Sequence, residues 1–250
     1  KLVSGRASAA LFCDYAYANE MKTPVHPGYG RGSRNRGALE MEYAADGPEK
    51  VEEKIFKTGN TDPKGVQNIH VWYPASMEEG KKYPLLIISN GMEFSCTSFI
   101  AILQHLASWG FIAAGNDALN SGSGETAAKT LEKMLSENEK QGSLFHDRID
   151  LDYIGGIGYF QGGAGAIRQA TISKNKDHYS ALYLASPMTL PFIEKAKAAA
   201  WSYDPSQITV PVFIASGGDG IENGILAPKE DMEGIYQAAK GPAVIGRMKG

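Results

Sequence analysis

Apolar and polar positions along the chain follow two alternating periods, one typical of strands and one typical of helices. Short apolar runs predict strands at 69–74, 85–89, 111–114, 152–158, 181–184, 210–215 and 243–246. Apolar residues recur at helical spacing between them, in 98–109, 126–141, 163–170, 192–200 and 229–239. Strands that alternate with helices predict an α/β fold with a mostly parallel, doubly wound sheet and helices on both faces.

The chain divides into an irregular N-terminal segment, residues 1–50, and a single regular α/β domain, residues 51–250. The N-terminal segment contains a loop of glycine and arginine at 28–37. Such a loop has the charge to contact a phosphate or a nucleic acid, but it lacks interleaved aromatic residues, and the whole chain has a net charge of −3. We therefore predict a solvated loop and no nucleic-acid partner.

Composition excludes several classes of protein and leaves others open. The two cysteines, Cys13 and Cys96, give no disulfide framework, and they fit either two buried thiols or one bridge. No apolar run approaches the roughly 20 residues of a membrane span, and no signal peptide is visible. We predict no membrane span, while a cytoplasmic or a secreted location and the oligomeric state stay open.

The segment 158–163, with the sequence GYFQGG, has the frame of a nucleophile elbow and an unexpected residue at its centre. The pattern G-x-S-x-G places a serine on a sharp turn between a buried strand and a helix. The flanking glycines are present, but the central residue is Phe160, which cannot attack a carbonyl carbon. A plain strand–turn–helix connection also favours glycine, so this motif needs support from the rest of the chain.

That support comes from two further loops in the expected order. Residues 89–92, Ser-Asn-Gly-Met, follow one buried strand, and a glycine-containing loop at 116–124 follows the next strand. With the elbow, these segments make the chain from Val66 to its end resemble the α/β-hydrolases, in the branch of dienelactone hydrolases and cutinase-like polyester hydrolases. The resemblance implies the α/β-hydrolase fold and an ancestry among serine carboxylic-ester hydrolases, which use no metal or organic cofactor.

The resemblance also implies roles for particular residues. Residue 160 takes the nucleophile position, and the backbone amides of Met92 and Gln161 take the part of the oxyanion hole. The acid that orients the catalytic histidine is expected after the strand at 210–215, where Asp219 is the first choice and Glu222 the substitute. A turn aspartate that caps local amides is the alternative explanation of Asp219.

The histidine of the triad is not found where the resemblance expects it. In this fold the histidine follows the acid and the last strand, whereas the five histidines, His26, His70, His105, His146 and His178, all precede Asp219. We expect the chain to stop before the histidine loop. The histidines show no metal-binding spacing with cysteine or carboxylates, so no metal site is predicted.

Phe160 itself has three explanations. The protein is a pseudoenzyme that kept the pocket, an engineered variant of a serine hydrolase, or a chain in which a modified serine was assigned as an aromatic residue. The strained backbone of an elbow costs a bulky residue on the order of 1–3 kcal/mol, which makes phenylalanine an unfavourable occupant.

Two functions therefore compete. The first is ester hydrolysis by a serine-hydrolase lineage, with a small-molecule ester as substrate. The second is a non-catalytic protein that holds an apolar acyl or aromatic ligand in the same cleft. Candidate residues for an apolar pocket wall lie near the predicted loops, although such residues are often plain core; they are Met92, Phe94, Trp109, Met188 and Trp201.

Overall fold

A computed structural model describes residues 42–217 and 227–247 of the chain. Its eight strands form one sheet. The strands are β1 (Val51–Lys57), β2 (Asn68–Pro74), β3 (Tyr83–Ser89), β4 (Ile112–Asn116), β5 (Ile149–Tyr159), β6 (Tyr179–Ala185), β7 (Val212–Ser216) and β8 (Ala243–Arg247). Seven of them match the strands predicted from the apolar runs, with boundaries shifted by a few residues.

β1 is the strand that the apolar pattern does not predict. Its sequence, VEEKIFK, is mostly charged, and most of its residues are exposed. It lies at the edge of the sheet, where it pairs with β2 along its whole length. Charged residues are common on edge strands because one side of such a strand faces water and charge discourages pairing with other chains.

The strand order in space is β1-β2-β4-β3-β5-β6-β7-β8. β2 runs antiparallel to both of its neighbours, β1 and β4, and every other pair is parallel. Strands β3 to β8 therefore end at one common edge of the sheet, which we call the carboxyl edge. The opposite edge, where these strands begin, is the amino edge.

Five α-helices connect and cover the strands in the described part of the chain. They are α1 (Ile100–Ser108), α2 (Glu125–Glu139), α3 (Gln161–Thr171), α4 (Leu190–Lys195) and α5 (Lys229–Ala238). Each corresponds to a region of predicted helical spacing. α4 begins slightly before the predicted 192–200, where Thr189 caps it, but it ends well before residue 200, because Lys197, with a φ of 52°, leaves the helical path.

Helices cover both faces of the sheet, which confirms the predicted α/β doubly wound fold. One face packs against α2, α3 and α5 and forms the larger core, with Leu131, Ile167 and Ile235 among its buried side chains. The other face packs against α1, through Ile102 and Leu103, around the fully buried Trp72. In the described residues no helix is both long and apolar enough to cross a bilayer.

Candidate active site

The carboxyl edge brings together the loops that the sequence singles out. Residues 90–95 follow β3, residues 117–124 follow β4, and Phe160 follows β5. Open α/β sheets bind ligands beyond the carboxyl ends of their strands, so this edge is the candidate site. β7 also ends here at Ser216, just before residues 218–226, which lie outside the described part of the chain.

Phe160 is the single residue between β5 and α3, and its backbone is in a rarely populated conformation. Its φ is 48° and its ψ is −110°, a combination that costs a non-glycine residue on the order of 1–3 kcal/mol. Three hydrogen bonds hold it there. Its N–H donates to the Ala185 carbonyl at 3.0 Å, and its carbonyl accepts from the amides of Gly163 at 2.9 Å and Met188 at 2.8 Å.

The glycines after Phe160 are required by close backbone approaches. A methyl group added to Gly162 would lie 2.0 Å from the Ser89 carbonyl oxygen and 2.3 Å from that of Asn90. A methyl group on Gly163 would lie 2.6 Å from Pro187 Cα. The first turn of α3 is therefore packed directly on the backbone of the loops that follow β3 and β6, which only glycine permits.

The Phe160 ring lies in apolar surroundings. It contacts the Phe192 ring edge to face, with ring centroids 5.4 Å apart and an interplanar angle of 77°. Both rings are partly exposed and pack against the larger core, as do Met92, Leu190 and Trp201. The side chain at position 160 thus supplies an apolar surface and no reactive oxygen.

The loop after β3 lies against the elbow and is held by a buried amide. Asn90 is fully buried, and its Nδ2 donates to the carbonyls of Asn116 at 2.7 Å and Ala118 at 2.9 Å. A methyl group added to Gly91 would come within 2.9 Å of the Tyr159 ring. Met92, next along the loop, has a backbone amide that donates to no residue within the described ranges.

Asn116 extends this polar network into α2. Its Nδ2 donates to the Thr126 carbonyl at 3.1 Å and to Thr130 Oγ1 at 3.0 Å, and its Oδ1 accepts from the Ala118 amide. Asn116 is fully buried at the end of β4. Because buried amide groups are costly unless they are hydrogen-bonded, this network fixes the loops after β3 and β4 relative to each other.

A second group of side chains, all from α3, holds the loop after β4. Gln161 accepts the Ser121 amide at 2.9 Å, and Gln169 donates to the Gly124 carbonyl at 2.8 Å. Arg168 donates to the carbonyls of Ser123, at 2.9 Å, and of Ser202. Arg168 therefore connects the loop after β4 to the segment that carries Trp201.

The predicted acid lies outside the described residues, as does its substitute: Asp219 and Glu222 both fall within 218–226. The preceding strand, β7, is described, and its last residue, Ser216, is buried at the carboxyl edge. Within the described part of the chain, Ser216 Oγ has no hydrogen-bond partner. The assignment of Asp219 as the acid stays a prediction.

The histidines that the structure describes have partners of their own or lie on the surface. His70 pairs with Glu53 at 2.7 Å, His105 contacts the Tyr43 carbonyl at 2.9 Å, and His146 contacts the Asn138 carbonyl at 3.2 Å. His178 is exposed, and His26 lies outside the described ranges. Among the residues described, no group of three or more His, Cys, Asp or Glu is placed to hold a metal ion.

Of the two cysteines, Cys96 lies in the part of the chain that the structure describes. Cys96 is a free thiol with no exposed surface, and burial raises its pKa well above the ordinary value. A protonated, buried thiol is unreactive, so Cys96 is a core residue. Cys13 lies outside the described residues.

Two of the five proposed pocket-wall residues need correction. Trp109 follows the last residue of α1, where its ring lies at a tilt to that of Tyr43, and the helix carries it away from the carboxyl edge. Met188 is fully buried core. Met92, Phe94 and Trp201 keep the partial exposure that a wall residue needs.

Sequence reasoning missed the side chains that organise this edge, chiefly Asn90, Asn116, Arg168 and Phe192. A signal for the two asparagines was present, because each directly follows an apolar strand, a position where a buried amide can satisfy the loop backbone. Phe192 offered no such signal, since an apolar residue in a short helix is normally core.

The sequence matches no protein-family model, and no curated protein is significantly similar to it.

Proposed function

We propose that the protein descends from serine carboxylic-ester hydrolases of the α/β-hydrolase type and that residue 160 occupies the nucleophile position. The observation that carries this proposal is the backbone of Phe160. Its positive φ between a strand and a helix, with glycines packed on neighbouring backbone, is the conformation that exposes a nucleophile above a sheet. Strained backbone of this kind is concentrated at functional sites, which motivates the proposal.

The strand arrangement is a second support. A sheet in which the second strand runs against its neighbours and the following strands are parallel is expected of an α/β-hydrolase. In this proposal the amides of Met92 and Gln161 stabilise the oxyanion, Asp219 is the acid, and the substrate is a small carboxylic ester. The chemistry needs no metal or organic cofactor.

The sequence as it stands should not form an acyl-enzyme, because Phe160 has no nucleophilic atom. We expect no turnover of a short-chain nitrophenyl ester and no labelling by a fluorophosphonate probe. Phe160→Ser alone should restore little in the 250-residue chain, because no histidine follows Asp219 and a triad acts as a unit.

The decisive test combines Phe160→Ser with a chain extended past Gly250. Fluorophosphonate labelling of that protein, absent from the matched Phe160→Ala protein of the same length, would support the proposal. If the serine variant folds, carries a histidine in the added residues and is still not labelled, the hydrolase assignment is wrong.

A specific observation favours a second candidate, a non-catalytic binding protein. The partly exposed rings of Phe160 and Phe192 provide an apolar surface at the carboxyl edge. Such a surface suits an apolar acyl or aromatic ligand. The unaltered chain should not hydrolyse naphthyl acetate. If this surface binds the ester, naphthyl acetate should raise the midpoint of thermal unfolding of the protein, and Phe192→Ala should reduce that increase. No shift in the unaltered protein would count against binding.

A further inference from the structure

The side chain of Gln161 makes hydrogen bonds that a nucleophile elbow does not require. Gln161 is fully buried, its Oε1 accepts the backbone amide of Ser121 at 2.9 Å, and its Nε2 lies 3.5 Å from Asn120 Oδ1. Ser121 is itself fully buried. Removing the Gln161 carboxamide would leave a buried N–H without an acceptor, which is costly.

Gln161 is also the first residue of α3 and directly follows the strained Phe160. Amides in the first turn of a helix have no acceptor within the helix. The backbone amide of Gln161 donates to no residue in the described part of the chain. The direction of this N–H therefore depends on the contacts that hold the first turn of α3 in place. The side-chain carboxamide of Gln161 makes one of these contacts.

Gln169 provides an internal comparison on the same helix. It is also buried, and its side chain also holds the loop after β4, through the Gly124 carbonyl at 2.8 Å. Eight residues separate it from Gln161, which corresponds to about 12 Å along a helix. The side chains of both glutamines thus hydrogen-bond to the backbone of the loop after β4, but Gln161 does so next to residue 160 and Gln169 does so further along the helix.

We infer that Gln161 is a positioning residue, whose carboxamide holds its own backbone amide in the direction needed to stabilise an oxyanion at position 160. This inference rests on the proposed function. The loop after β4 has further anchors in Gln169 and Arg168. Loss of the Gln161 carboxamide should therefore disturb the first turn of α3 without releasing the whole loop.

A thiol at position 160 makes the inference testable without a catalytic histidine. In Phe160→Cys, made together with Cys13→Ser, the thiol sits at the N-terminus of α3, where its pKa is lowered and thiolate forms without a separate base. Cys96 is buried and does not compete. Ile172→Cys, on the exposed residue that follows α3, is the matched control at the other end of the helix.

Two reactions of this thiolate separate positioning from general damage. With iodoacetamide, a carbon–sulfur bond forms and iodide leaves, with no oxyanion. With p-nitrophenyl acetate, the thiolate attacks the carbonyl carbon, an oxyanion forms, and the carbon–oxygen bond breaks to release p-nitrophenolate. Only the second reaction benefits from a correctly directed amide.

We expect Gln161→Met, which nearly conserves volume, to slow acylation about tenfold relative to its Phe160→Cys parent, since oxyanion donors contribute at least that much. Alkylation should stay within about twofold, because it has no oxyanion to stabilise. Gln169→Met should change neither rate. Gln161→Asn, whose shorter side chain withdraws the acceptor from Ser121, repeats the test if the methionine variant does not fold.

Three results would overturn the inference: an unchanged acylation rate in Gln161→Met, equal losses in acylation and alkylation, or an equal loss of acylation in Gln169→Met. The proposed function has a separate readout in the parent proteins. If Phe160→Cys, after correction for its alkylation rate, is acylated no faster than Ile172→Cys, there is no oxyanion site. The proposed function then fails, and the inference fails with it.

Discussion

The two edges of the sheet manage polar groups in different ways. At the carboxyl edge, Asn90, Asn116 and Gln161 are buried amides that hydrogen-bond to loop backbone. At the amino edge, the buried side chain of Asn138, which accepts the Ile149 amide at 2.9 Å, is accompanied by exposed ion pairs such as that of Lys82 with Asp147, at 2.9 Å. Buried amides allow one arrangement of the loops that they join, whereas exposed pairs contribute little and tolerate change.

The backbone shows the same difference. At the carboxyl edge the first turn of α3 rests on the carbonyls of Ser89 and Asn90, with no room for a Cβ at Gly162. Near the amino edge, β5 breaks its pairing with β3, so that the register jumps from Asp150 to Ile154 and the three residues between them are exposed. The first turn of α3 therefore leaves little room for change, as a preorganised site requires, whereas β5 tolerates an irregular stretch near the amino edge.

The largest expected effect comes from filling the close approach at the carboxyl edge. Gly162→Ala would place a methyl group 2.0 Å from a carbonyl oxygen of the packed loop, and α3 would have to move. We expect a loss of about 3 kcal/mol or more in the free energy of unfolding, measured by urea denaturation. Gly234→Ala, in α5, is the control because nothing lies within 4 Å of the added methyl.

That control should be neutral or slightly stabilising, by up to about 1 kcal/mol, since alanine favours helix more than glycine. If the two alanine variants prove equally stable, the packing of α3 on the loop after β3 is looser than the distances indicate.

A smaller effect is expected for a buried carboxylate near the amino edge. Glu137 accepts hydrogen bonds from Lys133 at 2.5 Å and Ser143 at 2.7 Å. Burial by itself raises the pKa of Glu137, but these hydrogen bonds outweigh it and hold the pKa below its ordinary value. A carboxyl group whose pKa is lower in the folded state than in the unfolded state stabilises the fold at pH values above its unfolded-state pKa. This stabilisation is lost as the pH falls through the folded-state pKa.

Glu137→Gln should therefore lower stability by about 1–2 kcal/mol at neutral pH, and the difference from the unaltered protein should shrink as the pH falls below the ordinary glutamate range. Urea denaturation at a series of pH values measures this. Asp147→Asn removes the exposed pair with Lys82 and should leave the denaturation midpoint unchanged. A difference for Glu137→Gln that is constant down to acidic pH would contradict the assignment.

The smallest expected effect concerns the strain at Phe160. Alanine and glycine both remove the ring, but glycine adopts a φ of 48° without a Cβ penalty. We expect Phe160→Gly to be more stable than Phe160→Ala by about 1 kcal/mol, the reverse of their order inside a helix. Thermal denaturation of both variants checks the sign. If Phe160→Ala proved more stable than Phe160→Gly, as it would inside a helix, residue 160 would not be held in the strained conformation in solution.

Much of the fold could be predicted because it depends on local patterns. The apolar runs of β3 and β6 and the helical spacing of α2 each identify their element without reference to the rest of the chain. β1 could not be found in this way, because its charged sequence becomes a strand only through pairing with β2. The end of α4 also escaped prediction, since the turn at Lys197 depends on packing that spacing does not record.

The site was predictable to a lesser extent. The glycines at 158, 162 and 163 indicated a sharp turn with close packing, and the structure has both. The corrected position of Trp109 shows the limit of such predictions. A residue that is close in sequence to a predicted loop can lie at either end of a helix, and Trp109 lies at the end away from the carboxyl edge. The roles of Met92, Gln161 and Asp219 stay predictions, to be tested by the experiments proposed above.

The sequence by itself determined the order of the strands and helices after β1, the sharp turn at residue 160 and the absence of a nucleophilic atom there. These properties reside in single residues or in short periodic patterns. Tertiary structure decided which loops meet at the carboxyl edge, that the Phe160 ring contacts the Phe192 ring, and that the Gln161 side chain accepts a hydrogen bond from the Ser121 amide. Such contacts join residues far apart in the chain, and they form only when packing and the need to satisfy buried polar groups bring distant loops together.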